Sequence, residues 1–168
     1  MEPDYILELF GVEPLCQLCN ISFYSAGTGI DTVQNTTLSN VHLKGWLPKL
    51  ELDNVYENAD VFVSIAEKTG KQISSKIFDY MSYGKPIIHV YFSPEDVNLK
   101  YLRKYPNALC LLADESRLRE QRAIIQLFLQ GRVGQQIYGD DLDEMLHLCT
   151  PICVSEIIMN KVYTERKS

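Results

Sequence analysis

The chain has 168 residues, enough for one domain, or one with an appendage, whose core needs neither disulfides nor metal. A net charge of −6 excludes nonspecific nucleic-acid binding through a clustered basic surface, and 46% hydrophobic with 23% charged residues is an ordinary globular composition. Five cysteines, an odd number in a chain too large to need staples, point to free thiols in a reducing, cytosolic setting.

In chain order, residues 4–18 carry an apolar stripe at helical spacing, Ile6, Leu7, Phe10, Leu15 and Leu18, interrupted by Gly11 and Pro14. Before it, Glu2 and Asp4 stand where a secretory signal has basic residues. "ISFYSAG" (21–27) reads as a strand running into the turn Gly27, Thr28, Gly29. A polar stretch follows to Asn40, then "VHLKGWLP" (41–48) begins with strand alternation and ends at a glycine. "ELDNVYENA" (51–59) is a short helix, and "DVFVSIA" (60–66) a buried strand rich in β-branched residues. A loop over 67–73 leads into a helix with Ser74 or Ser75 as N-cap and Gly84 past its end. Ile73, Ile77, Tyr80 and Met81 are expected on its apolar face. The strand "KPIIHVYF" (85–92), a helix over 94–104 and the strand "NALCLLA" (107–113) come next. Helices over 116–130, 140–148 and 151–165 close the chain. No apolar run reaches the ~18–20 residues of a membrane span, so any membrane contact is peripheral.

Strands alternating with short helices predict parallel βαβ units in one doubly wound, Rossmann-like α/β sheet. Ligand sites in such sheets lie beyond the carboxyl ends of the strands. That selects four loops: residues 27–29, 45–48, 67–75 and 93–98.

The helix that begins near Ser75 carries an unexpected cation. Lys76 in a first turn opposes the helix dipole, at a cost of a few tenths of a kcal/mol up to ~1. Free N–H groups, the hydroxyls of Ser74 and Ser75, Lys76 and nearby Lys71 would together suit an anion. Asp79, one turn deeper, has the reach to accept hydrogen bonds from ribose hydroxyls. Phosphate at the helix start and ribose at the acid describe a nucleotide. The bland alternative is a solvated Lys76–Asp79 pair worth ~0.2–0.5 kcal/mol.

The stretch 40–88 resembles the C-terminal, donor-binding half of a GT-B glycosyltransferase. The matching residues are "VHLKGWLP" (41–48), "NADVFVS" (58–64) and "SKIFDYMSYGKPII" (75–88). The likeness is greatest to the retaining sugar transferases of bacterial surface-polysaccharide synthesis, whose motif reads K-x-x-E-Y-x-x-x-G-K-P, and it covers about residues 21–112. The resemblance implies that Asp79 replaces the ribose-binding glutamate and that Ser75 and Lys76 meet the donor diphosphate. It also implies that Trp46 and Leu47 line the base pocket and that Gly27, Thr28 and Gly29 face the interdomain cleft. Many members carry a second glutamate eight positions before the first; here that position is Lys71. The donor implied is a nucleoside diphosphate sugar, with a UDP-sugar favoured, and no metal is required. The partner implied is an N-terminal acceptor domain that this stretch does not contain, and the resemblance also implies a strand with a basic loop before the first helix, which is expected to be missing here. The expected setting is cytoplasmic, with peripheral contact at the inner face of a membrane and no nucleic-acid partner. Alone, the domain should bind donor weakly and transfer nothing.

Other signals are weaker. Cys16-x-x-Cys19 with Cys149 and Cys153 has zinc-like spacing, but apolar helical contexts favour burial of these thiols. Asp141 and Asp143 open a helix, where acids suit the dipole, rather than ending a strand as a metal-binding pair would. His42, His89 and His147 show no serine or cysteine partner for nucleophilic catalysis, and His42 and His89 are expected on sheet faces or partly buried. "KYLRKYP" (100–106) reads as a solvated helix face, with contact to a membrane surface or partner domain as the alternative. Two rival functions remain: a nucleotide-sugar epimerase of the same architecture, which would gather two histidines and an acid, and a noncatalytic nucleotide-binding module.

Overall fold

The computed structural model describes residues 3–24 and 31–137. The helices expected over 140–148 and 151–165, with Asp141, Asp143, His147, Cys149 and Cys153, lie outside them. The chain runs α1 (Asp4–Phe10), α2 (Leu15–Leu18), β1 (Ile21–Phe23), α3 (Asp31–Gln34), β2 (Val41–Leu43), α4 (Lys49–Asn58) and β3 (Phe62–Ile65). It continues through α5 (Lys76–Ser82), β4 (Ile87–Tyr91), α6 (Leu99–Leu102), β5 (Ala108–Leu112), a 3-10 turn (Glu115–Arg117) and α7 (Leu118–Arg132). Every strand pair is parallel.

The three-stranded sheet β3-β4-β5 is covered on both faces. Ile88, Val90 and Leu111 pack against Tyr5, Ile6, Leu9 and Phe10 of α1 and Ile125 of α7. On the reverse face Phe62 and Ile87 meet Ile77 and Met81 of α5, Leu102 of α6 and Tyr105. That two-sided burial explains why β4 reads as an unbroken apolar run apart from His89.

One doubly wound sheet was the expectation; the strands instead form two sheets, β1-β2 and β3-β4-β5. The α3 crossover lies with α1 on one face, whereas α5 and α6 lie on the other. Among the described residues β1 and β3 each have one edge without a strand partner. The two sheets share a core, since Ile21 and Phe23 pack on the same cluster as Val61, Val63 and Ile65.

Three local expectations are corrected. The stretch 4–18 is two helices, because α1 ends at Gly11, whose N–H reaches back to Leu7 O. The helix expected over 94–104 shrinks to α6, because Asp96 takes the backbone N–H of Asn98 and turns the chain before helix can form. Ile73 does not share the apolar face of α5; it precedes the helix and is exposed.

The Gly84-Lys85 turn fastens the α4–β3 unit to the rest. Gly84 adopts φ +67, which suits its place just past α5, and the carbonyl of Ile137 sits where a Cβ would project. Lys85 is buried and its ammonium donates to the carbonyls of Tyr56, Glu57 and Ala59, capping the C-terminus of α4.

Candidate functional site

The loops after β2, β3 and β4 leave from the carboxyl ends of parallel strands. Helix α5 starts from the loop after β3. Ser75, Lys76, Asp79 and Lys71 are all exposed, and Ser74 is half-buried. Neither serine caps the helix: Ser75 has helical dihedrals and its hydroxyl makes no cap hydrogen bond. The Ser74 N–H is instead taken by Asn98 Oδ1 at 2.9 Å. The hydroxyl and cation at the start of α5 therefore face solvent, with Asp79 following within the same helix.

Trp46 and Leu47 lie in the loop after β2, directly before α4. Trp46 is 72% exposed and Leu47 half-buried. Helix α4 packs beside α5 through Tyr56, whose ring meets those of Tyr80 and Tyr83 edge-on. Trp46-Leu47 precede α4 in the loop after β2, and Ser75-Lys76 open α5 after β3. Gly27, Thr28 and Gly29 lie outside the described residues.

The sequence reading missed two features. An open depression of about 400 Å³ is lined by Tyr5, Lys68, Phe92, Ala113 and Glu115. It lies past the ends of β4 and β5 and contains none of the expected donor residues. Tyr5 forms part of its wall, with its hydroxyl donating to Gln121 Oε1 at 2.6 Å and accepting from the Asp114 N–H at 2.8 Å. Burial pushes that phenol above its ordinary pKa.

The second feature is a buried polar layer. Ser64, His89 and Cys110 are register partners across β3, β4 and β5 and so share one face. His89 Nδ1 is 3.1 Å from Ser64 Oγ, and Nε2 is 3.6 Å from Asp96 Oδ2, with both side chains of the latter pair fully buried. His89 lies on a sheet face, one of the two placements expected, and is completely buried there; its serine neighbour was not foreseen. The partners are far apart in sequence, and only strand register brings them together. Burial lowers the His89 pKa, against the opposing pull of Asp96, and burial pushes the Cys110 thiol up to about 11. Ser64 is itself buried, which denies a substrate access to its hydroxyl.

Elsewhere, Cys16 and Cys19 are free and half-buried, and burial raises the Cys19 thiol pKa. Among the described residues no group of three or more His, Cys, Asp or Glu side chains is arranged to hold a metal. The basic stretch at 100–106 divides: Lys100, Arg103 and Lys104 are exposed, whereas Tyr105 is buried and bonds Lys85 O at 2.8 Å. Comparisons with protein-family models, curated proteins and solved structures give no match.

Proposed function

We propose that the chain is the donor-binding half of a GT-B type glycosyltransferase and takes a nucleoside diphosphate sugar, with uridine as the favoured base. The observation that carries this reading is the start of α5. Ser75, Lys76 and Asp79 are exposed there, on a helix entered from the carboxyl end of a parallel strand. The Lys76 ammonium and the Ser75 hydroxyl serve the diphosphate, with Lys71 adding charge. Asp79 accepts from the ribose hydroxyls, and the exposed Trp46 with Leu47 receives the base. In transfer, negative charge grows on the departing diphosphate, and the Lys76 cation offsets it. The acceptor site belongs to another domain, and the edges of β1 and β3, without a strand partner among the described residues, suit a further parallel strand of the whole enzyme. Among the described residues no helix is long and apolar enough to cross a membrane.

A noncatalytic nucleotide-binding module is the second reading, favoured by Lys71 where the family has its first glutamate. Both readings require nucleotide binding, and Trp46, the single tryptophan, reports on it directly. Titration with UDP should change Trp46 fluorescence saturably, and Asp79→Ala should weaken binding about tenfold, or ~1.4 kcal/mol. Equal affinity in the two proteins would remove the ribose contact and with it the reading. Transfer from a UDP-sugar, assayed with the chain joined to an acceptor domain, separates enzyme from module.

A further inference from the structure

We propose that Ser64, His89 and Asp96 form a buried positioning relay that holds the loop leading into α5. The relay begins in the sheet. His89 sits at the centre of β4, facing Ser64 from β3, Cys110 from β5 and Asp96 from the loop after β4, with the Tyr91 ring stacked 6.1 Å away on its own strand.

The carboxylate of Asp96 divides its two oxygens between strand and loop. Oδ2 faces His89 Nε2 across 3.6 Å, an ion-pair separation rather than a hydrogen bond, and both atoms are buried without a hydrogen-bond partner. Oδ1 accepts from Asn98, from its backbone N–H at 2.7 Å and from Nδ2 at 2.8 Å. Asn98 in turn grips the segment before α5: its Oδ1 accepts from the Ser74 N–H, and its Nδ2 also donates to Gln72 O at 3.2 Å. The Val97 N–H bonds Gly70 O at 2.9 Å beside them. Gly70 makes this approach available, because it holds φ +67 and a Cβ there would stand 3.0 Å from Asp96 Cα. A polar path therefore runs from the sheet core to Ser74, next to Ser75 and Lys76, hydrogen-bonded except at the electrostatic contact between His89 and Asp96.

Such a path is a costly way to fill a core. A buried carboxylate and imidazole are more expensive than apolar side chains of the same volume, and a half-satisfied network is worse than none. Its return is one fixed geometry for a loop that has few apolar anchors, Ile73 being exposed. In the arrangement implied, His89 is protonated on Nε2, toward Asp96, and Nδ1 accepts from the Ser64 hydroxyl. Ser64 has the partners of a nucleophile but no access to solvent, so its part is to set the imidazole.

The test is amide hydrogen exchange on the full chain. His89→Gln alters no atom of the loops, yet it should speed exchange at Ser74 and Val97 by about tenfold or more, while Ile87 and Ala113 in the sheet keep their protection. Unchanged rates at Ser74 and Val97, or equal acceleration at all four amides, overturn the relay. Imidazole nitrogen NMR on the unmodified protein decides the matter even if the variant fails to fold: Nε2 should carry a proton, and a bare Nε2 overturns the proposal. The consequence for ligand rests on the nucleotide reading, under which His89→Gln also weakens UDP binding. A wild-type chain that ignores UDP would remove that reading while leaving the exchange result to stand or fall alone.

Discussion

At the scale of single residues, Lys85 shows how a motif can mislead about function. The resemblance groups Gly84, Lys85 and Pro86 with the donor motif, yet Lys85 points into the fold and caps α4. Its role is structural, and Lys85→Met should lower stability by about 1.5–3 kcal/mol, the range for hydrogen bonds to a charged group, as read by urea denaturation. A loss below measurement would mean that water replaces the ammonium at those carbonyls. His89 supplies the pH dependence. Its folded pKa lies below the ordinary 6.5, chiefly through burial. The unfolded chain therefore binds the proton first, and stability is complete above about 6.5 and falls as the pH drops from there toward the folded value, with a slope of at most ~1.4 kcal/mol per pH unit. His89→Gln should flatten that fall in denaturation curves between neutral and mildly acid pH. An unchanged slope would assign the effect to other groups. Lys76 and Asp79 were legible as exposed residues of a helix start, because helical spacing and a following glycine are local signals. The Ser64–His89 pairing was not legible, since nothing in either segment encodes the register between them.

At the scale of elements, the strands and most helices were readable because each carries its own period. β3 and β4 announce themselves as β-branched runs, and α7 as a long amphipathic stripe. The errors fall where side chains compete with the backbone. Asp96 and Asn98 hold a turn in place of the expected helix start, and Ser74 donates its N–H to Asn98 while neither serine hydroxyl caps α5. The seam between α4 and α5 is aromatic. Phe62 stacks on Tyr80 at 4.4 Å, and Tyr56 meets both rings edge-on. This packing joins the C-terminal halves of the two helices to β3. Phe62→Ala should cost about 3–5 kcal/mol, measured by thermal or chemical unfolding, and should disturb Trp46 fluorescence through α4. Loss of stability with an unaltered Trp46 signal would show that the seam does not set the loop before α4.

At the scale of the whole molecule, the sequence predicted alternation and parallel strands but not the break between β1 and β3. Alternation states which elements exist; whether β1 and β3 pair depends on residues distant in the chain. The break has a consequence for stability. Among the described residues the β1-β2 pair has no further strand neighbour, and it is held to the remainder through α1, whose Phe10 carbonyl accepts from Asn40 Nδ2 at 3.0 Å. Two short strands bury less than three strands covered on both faces, and an isolated pair of strands is marginal by itself. Opening of the smaller sheet should therefore require less free energy than global unfolding. Native-state hydrogen exchange reads this amide by amide. Ile21, bonded to Asn40 O, and Lys44, bonded to Phe23 O, should exchange through a local opening with little dependence on denaturant. Ile87 and Ala113, bonded within the larger sheet, should exchange only with global unfolding and with a steep denaturant dependence. If all four amides merged onto one curve at low denaturant, the two sheets would form a single cooperative unit, and their shared core through α1 would outweigh the missing strand pairing.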